Sequence, residues 1–149
     1  MPKGCYEPWG IFRKPLPPKV TVGECLRHWQ TGGLRRTADD KPFEDLILSE
    51  RTPRRERNIA DHPSLKPQSF LRRVVHAALP LGEGLIVDPF MGSGSTIAAV
   101  EAVGLRGFGI ERNSDYFDLA RKAIPRLEAI ELPKIDRAIG VERDQKSLF

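Results

Sequence analysis

The run Leu85-Ile86-Val87-Asp88-Pro89-Phe90-Met91-Gly92-Ser93-Gly94-Ser95-Thr96 limits what this chain can fold into more than any other stretch. Leu85, Ile86 and Val87 are continuously apolar, which predicts a strand covered on both faces. The strand stops at an acid, Asp88. Gly92 and Gly94 then remove β-carbons where the chain must turn sharply and where a ligand can approach the backbone. Ile97, Ala98, Val100, Ala102 and Val103 predict a helix of small residues, with Gly104 in a favoured position at its C-terminal end. Gly107 to Glu111 (GFGIE) predicts a second short strand that also ends on an acid, and Glu111 follows Gly92 by 19 residues. That is close to the offset of roughly 20 at which an acid after a second strand meets ribose hydroxyls. A parallel sheet with a glycine turn after one strand and a carboxylate after the next is a common way to hold an adenosine-containing cofactor.

Position 97 narrows the choice. A dinucleotide fingerprint places a third glycine there, and this chain has Ile97. A pyrophosphate needs several backbone amides at the helix start, whereas a phosphate-free nucleoside does not. The bland alternative is an ordinary βαβ unit with a tight glycine turn.

The string DPFMGSGST, Asp88 to Thr96, resembles the S-adenosylmethionine-binding motif of DNA amino-methyltransferases, which methylate adenine N6 or cytosine N4. The fold class this implies is α/β: a partial Rossmann-like methyltransferase fold with a short irregular N-terminal region. The implied cofactor contacts are Lys66, Pro67, Asp88, Phe90, Gly92, Ser93, Gly94, Ser95, Thr96 and Glu111. A second block, HPSLKPQSFLRRVV from His62 to Val75, resembles the His-Pro-x-x-Lys-Pro segment that precedes this motif in the permuted members of the family. Pro67 suits the first turn of a helix, where its missing N–H is not needed. Phe70, Leu71, Val74, Val75 and Ala78 recur at helical spacing on one face, with Arg72 and Arg73 pointing elsewhere. The resemblance places Lys66 and Pro67 at the methionine end of the cofactor. Taken without it, His62 and Lys66 read as a solvated loop. The opening stretch GCYEPWGIFRKP is similar to a late strand of the same catalytic domain, with Trp9, Ile11 and Phe12 expected in a short β segment ending at Pro15–Pro18.

The family holds its target amine with an Asp/Asn/Ser-Pro-Pro-Tyr/Phe/Trp tetrapeptide, which this sequence lacks. Glu7-Pro8-Trp9 and Leu16-Pro17-Pro18-Lys19 each carry only part of it. The 149 residues therefore resemble the C-terminal third to half of a complete enzyme, either a fragment or one part of a split protein. In the family, the tetrapeptide's acceptors bind the amine hydrogens and its ring stacks on a flipped base. No catalytic residue is assigned to this chain. The alternatives are a non-catalytic remnant that binds cofactor, DNA or clamp, and a different small-molecule Rossmann enzyme, against which Ile97 and the His62 block weigh. A missing half also predicts an unpaired apolar edge beside Leu85–Val87. Marginal stability, self-association or a second chain carrying the tetrapeptide would follow from it.

Charge is unevenly spread. Residues 1–60 hold 12 Lys or Arg against 8 Asp or Glu, and residues 81–149 hold 9 against 11. Arg51, Arg54, Arg55 and Arg57 concentrate the excess and are candidates for phosphate contacts on double-stranded DNA. The competing reading is a solvated surface, or pairing with Glu50 and Glu56. Two cysteines, Cys5 and Cys25, are too few for a disulfide framework or a zinc site, and no metal is expected. No apolar run approaches the roughly 18 residues of a membrane span, and a cytosolic, reducing location is expected.

The expected organisation is a late-strand segment over 1–18, a basic recognition or linker segment over 19–60, a cofactor-binding half domain over 61–132 and a polar tail over 133–149. Short helices are expected over Glu24–Gln30 and within Pro42–Ser49. Ser114 is the expected N-cap of a helix whose Tyr116, Phe117, Ala120, Ile124 and Leu127 share a face, and Pro125 is expected to kink or end it near Ala123. Tyr116 or Phe117 is expected to pack on the sheet or touch the adenine side of the pocket. The last residues, Gln145-Lys146-Ser147-Leu148-Phe149, resemble the pentapeptide with which bacterial DNA polymerases dock on the sliding clamp. Gln145 would bond at the rim, and Leu148 and Phe149 would fill an apolar pocket.

Overall fold

The computed structural model describes residues 8–37, 40–44, 46–49 and 51–132. The chain divides into two compact units, one ending at Gly33 and the other beginning at Leu34. In the first, residues 8–20 have no regular structure, so the β segment expected at Trp9–Phe12 is absent. Phe12 is almost wholly exposed and pairs with no strand. Helix α1, Val22–Trp29, starts before Glu24 because Thr21 closes a capping box: its hydroxyl accepts from Glu24 N, while the Glu24 carboxylate accepts from Thr21 N at 2.7 Å.

The second unit is built around the predicted strand, turn and helix. After the short helix α2, Arg54–Arg57, and α3, Gln68–Ala78, come strand β1, Leu85–Asp88, helix α4, Ser95–Ala102, strand β2, Arg106–Gly109, and helix α5, Ser114–Glu128. Strands β1 and β2 are parallel, with Leu85 opposite Arg106 and Val87 opposite Phe108. The described residues of the expected Pro42–Ser49 helix adopt none.

Helix α4 is the centre of the unit. Ile97, Ala98, Ala99 and Val100 are all buried, so it is apolar all round, as an interior helix must be. Leu71 and Val75 of α3 pack with Ala99, Val100 and Val103, while Ala123 and Leu127 of α5 pack with Ala98, Ala60 and Leu65. Gly104, at φ +74°, ends α4 in the left-handed conformation the sequence predicts.

Two expectations about α5 are corrected. Its N-cap is Asn113, not Ser114: the Asn113 side chain accepts from the backbone N–H of Asp115 and Tyr116 at 2.8 and 3.2 Å. Pro125 also does not end the helix near Ala123: it lies inside α5, which runs on to Glu128. Packing overrides the local preference here. Ala123 and Leu127 on either side of Pro125 are fully buried, and the Arg72 guanidinium accommodates the final turn by donating to Leu127 O at 3.0 Å and Glu128 O at 2.9 Å.

Strand β1 departs from the expected two-sided burial. Ile86 faces α4 and packs against the cluster of Leu71, Val75, Ala99, Val100 and Val103. Leu85 and Val87 on the other face are 53% and 51% exposed. Their neighbours across and beyond β2, Phe108 and Ile110, are 57% and 49% exposed. Among the described residues, β1 pairs with β2 on one edge only.

Candidate nucleoside site at the glycine turn

The turn between β1 and α4 is fixed by backbone geometry. Gly92 and Gly94 have φ of +55° and +81°, a region costly to any residue with a β-carbon. A β-carbon at Gly94 would also lie 2.5 Å from Cγ1 of Ile124, so α5 can approach only a glycine. Met91 N donates to Ile110 O and Ile110 N to Asp88 O, both at 2.9 Å, which ties the turn to the end of β2. The half-buried Asp88 closes its own local turn by accepting from Phe90 N at 3.1 Å.

Glu111 completes the arrangement. Its Oε2 accepts from Gly92 N at 2.8 Å and its Oε1 from Asn113 N at 2.8 Å. The N–H groups of Asn113 and then Gly92 hold its carboxyl below the usual carboxylate range, with smaller help from Arg112 N–H and nearby His62. Each oxygen accepts one of these bonds and keeps lone-pair capacity for a hydroxyl donor. Sequence spacing brings Glu111 to the turn, but it does not reveal that the acid is bonded to the turn itself.

The His62–Pro67 block reaches the same place. The His62 ring lies 3.1 to 3.2 Å from where a Gly92 β-carbon would stand, and it meets Tyr116 edge-on at 4.5 Å between centroids. His62 Nδ1 accepts from Ser64 N at 3.2 Å. Pro67 is buried as the N-cap of α3, and Lys66 beside it is half-buried. Of the other predicted contacts, Ser93 and Ser95 are buried, Thr96 is half-buried and Phe90 stands out at 88% exposure. Tyr116 meets His62.

Two buried polar residues escaped the sequence reading. Gln68 is fully buried, with its Nε2 donating to Ser95 O at 2.9 Å. Glu56, 1% exposed, accepts from Gln68 N at 3.0 Å. Burial pushes the Glu56 carboxyl up, against the opposing effects of the Gln68 N–H and of the charges of Arg55 and Arg72. The available signal was a lone acid inside RTPRRER, although nothing in that pattern says it points inward. The flanking Arg51, Arg54, Arg55 and Arg57 are all exposed, and Arg57 donates to Thr52 O. They stand on a different segment from the turn. Glu50, Gln145, Leu148 and Phe149 lie outside the described residues, as do Cys5 and the 133–149 tail. No described helix is long and apolar enough to cross a membrane.

Parallel strands joined through a glycine turn, with an acid bonded to that turn, form an α/β unit of the kind that can hold a nucleoside. A DNA methylase family model matches residues 10–122, and the chain belongs to that family. It is 35% identical over 104 residues to the type II methyltransferase M2.DpnII of Streptococcus pneumoniae, covering 69% of this chain and 37% of the relative. It is 29% identical over 99 residues to M2.LlaDCHI of Lactococcus lactis subsp. cremoris, covering 66% and 36%. The chain thus spans little more than a third of the length of these curated relatives. The solved complex of M1.HpyAVI with SAM superposes with a TM-score of 0.50 at 25% identity, over 62% of this chain and 43% of that one. The described unit is accordingly a partial α/β methyltransferase fold.

Proposed function

We propose that this chain is the cofactor-binding part of an S-adenosylmethionine-dependent DNA methyltransferase that modifies an exocyclic amine of adenine or cytosine in double-stranded DNA. The observation that carries the reading is the Glu111 carboxylate bonded to Gly92 N, with acceptor capacity to spare for ribose hydroxyls. The turn fits such a group. Its glycines leave the backbone open, Asp88 stands half-buried at the strand end, and no phosphate has to be neutralised. When bound, the cofactor supplies an electrophilic methyl carbon on a sulfonium. Glu111 and Asp88 would orient the nucleoside, Phe90 would offer an apolar surface to adenine, and Ser93, Ser95, Thr96, Lys66 and Pro67 would border the methionine end. Arg51, Arg54, Arg55 and Arg57 would meet DNA phosphates.

The amine-binding tetrapeptide would come from a second stretch of polypeptide seated against Leu85, Val87, Phe108 and Ile110. Two facts favour this occupant: these four apolar residues are about half exposed beside Arg106, and over half of the M1.HpyAVI chain has no counterpart here. The tail residues Gln145, Leu148 and Phe149 are a further candidate contact, for the sliding clamp. Clamp pull-down by the full chain, compared with Leu148→Ala plus Phe149→Ala, decides that point, and equal recovery would end it. For the main reading, titration with S-adenosylhomocysteine in a calorimeter should give saturable heat that Glu111→Ala removes. An absence of heat from the wild-type chain would overturn the cofactor assignment. Methyl transfer from labelled cofactor to DNA, with the chain alone and with a tetrapeptide-bearing partner, then tests the reaction.

A further inference from the structure

Glu56 and Gln68 form a buried polar connection between two surfaces that sequence alone leaves unrelated. Glu56 sits in α2 among exposed arginines, yet its own side chain turns inward to cap α3 by accepting from Gln68 N. The N-terminal N–H groups of a helix have no partner within it, so this bond satisfies a donor that would otherwise be stranded. Gln68 then spends its side chain on the next element. Its Nε2 donates to Ser95 O, the carbonyl that immediately follows Gly94 of the turn. Its Oε1 accepts from Arg72 Nε at 3.4 Å, and Arg72 closes the end of α5. A parallel tie runs from Thr52 Oγ1 to Leu65 O at 2.8 Å, joining the arginine segment to the His62–Pro67 block. Buried polar groups are costly to strand, so a fully satisfied chain of them moves as one piece.

We propose that Glu56 and Gln68 are positioning residues that link the arginine-bearing helix α2 to the glycine turn, so that phosphate contact at α2 and nucleoside binding at the turn strengthen one another. The inference rests on the proposed function and adds a regulatory link to its two surfaces. A displacement of α2 by a phosphate backbone reaches Gln68 through the Glu56 carboxylate and reaches Ser95 through the Gln68 amide. Reciprocity requires the same gain in the opposite direction, from nucleoside to DNA.

The test is a coupling ratio on the full chain: S-adenosylhomocysteine affinity by calorimetry, with and without a mixed-sequence duplex at fixed low salt. The wild type should bind the nucleoside about 5-fold or more tightly when duplex is present. Gln68→Met, close in volume but lacking both amide groups, should bring the ratio near one. Glu56→Gln, which keeps an oxygen for Gln68 N, should retain most of it. The pair Arg54→Ala and Arg55→Ala should weaken duplex binding and shrink the gain in nucleoside affinity that a fixed duplex concentration gives. A purely architectural Gln68 would lower the melting temperature and both affinities while leaving the ratio intact. If Gln68→Met does not fold, Gln68→Asn withdraws the amide from Ser95 O by one methylene and takes its place. A ratio of one in the wild type, or an unchanged ratio in a folded Gln68 variant, overturns the proposal and leaves the cofactor reading standing. No heat from the wild type without DNA overturns the cofactor reading, and the proposal with it.

Discussion

The β1–β2 sheet carries Ile86 on one face and Leu85, Val87, Phe108 and Ile110 on the other, yet the first face is packed and the second bare. On the packed face Gly107 and Gly109 have no side chains, and α4 comes in close. A β-carbon at Gly107 would stand 3.3 Å from Ile97 and Val100. Ile86 is the apolar residue that β1 contributes there. On the other face Leu85, Val87, Phe108 and Ile110 form a surface about half exposed, with no described element against it. The comparison teaches that a run such as Leu-Ile-Val reports the burial a strand is built for. It does not report which polypeptide provides the cover. The packed face shapes the turn, whereas the other face leaves about half of each of these apolar side chains in solvent.

The largest effect should come from the packed side. Leu127 is the largest fully buried side chain, between α4 and the Ala60–Leu65 segment. Leu127→Ala should cost about 2–5 kcal/mol, as lost transfer energy plus a cavity. Urea unfolding measures it, and a loss below about 1 kcal/mol would mean that this side is no better packed than the other. Next in size is the acid at the end of the sheet. Glu111→Gln loses the charge that favours both backbone N–H bonds, and one of its two terminal atoms becomes a donor facing a donor. Nucleoside affinity should fall about 10- to 100-fold, the range for a charge-assisted hydrogen bond. Because the folded-state pKa of Glu111 is lowered, its contribution is present above the ordinary carboxylate value and is lost as pH falls through the folded pKa. Affinity in the wild type should therefore decline in acid while the Gln variant stays flat there, which titration calorimetry across pH would show.

Much of this architecture was legible from letters alone. The strand, turn and helix from Leu85 to Gly104 carry a continuous apolar run, two glycines and a terminator, and each is a local demand that only one conformation meets. Helix α3 was readable for the same reason, from Pro67 and its periodic apolar face. What was not legible depends on distant partners. Pro125 stays inside α5 because α4 and Arg72 hold the last turn, and neither is near it in sequence. Asn113 takes the cap from Ser114 through a choice between adjacent residues of equal aptitude. The inward turn of Glu56 depends on Gln68 and Ser95, which no spacing rule connects to it. In the site, the glycines and Glu111 were legible as a pattern, whereas the bond between them and the place of His62 over Gly92 were not.

A smaller effect belongs to His76, buried on α3 on the packed side. Burial, with the nearby Arg35 charge, holds its imidazole below the usual value. The unfolded chain takes up that proton near pH 6.5 and the folded chain only at lower pH. Stability should thus be full above about pH 6.5 and fall as pH drops towards the folded-state value. His76→Gln should flatten this part of a melting-temperature profile. If the slope survives the substitution, His76 is not its source, and the packed face carries no histidine-linked acid sensitivity.

The smallest expected effect tests the bare side directly. Val87 and Phe108 are opposed across the two strands and half exposed. Threonine at both positions keeps β-branched geometry at Val87, places it at Phe108, and makes the face polar. In the isolated chain each change should shift unfolding free energy by no more than about 0.5 kcal/mol, the range for surface substitutions. The same pair should abolish whatever association the face supports, read by sedimentation of the chain alone and with a tetrapeptide-bearing partner. Small stability effects combined with lost association would mean that the cover is a separate stretch of polypeptide, held by apolar contact. A cost of several kcal/mol in a monomer would instead mean that the chain covers this face itself, and the contrast between the two faces would disappear.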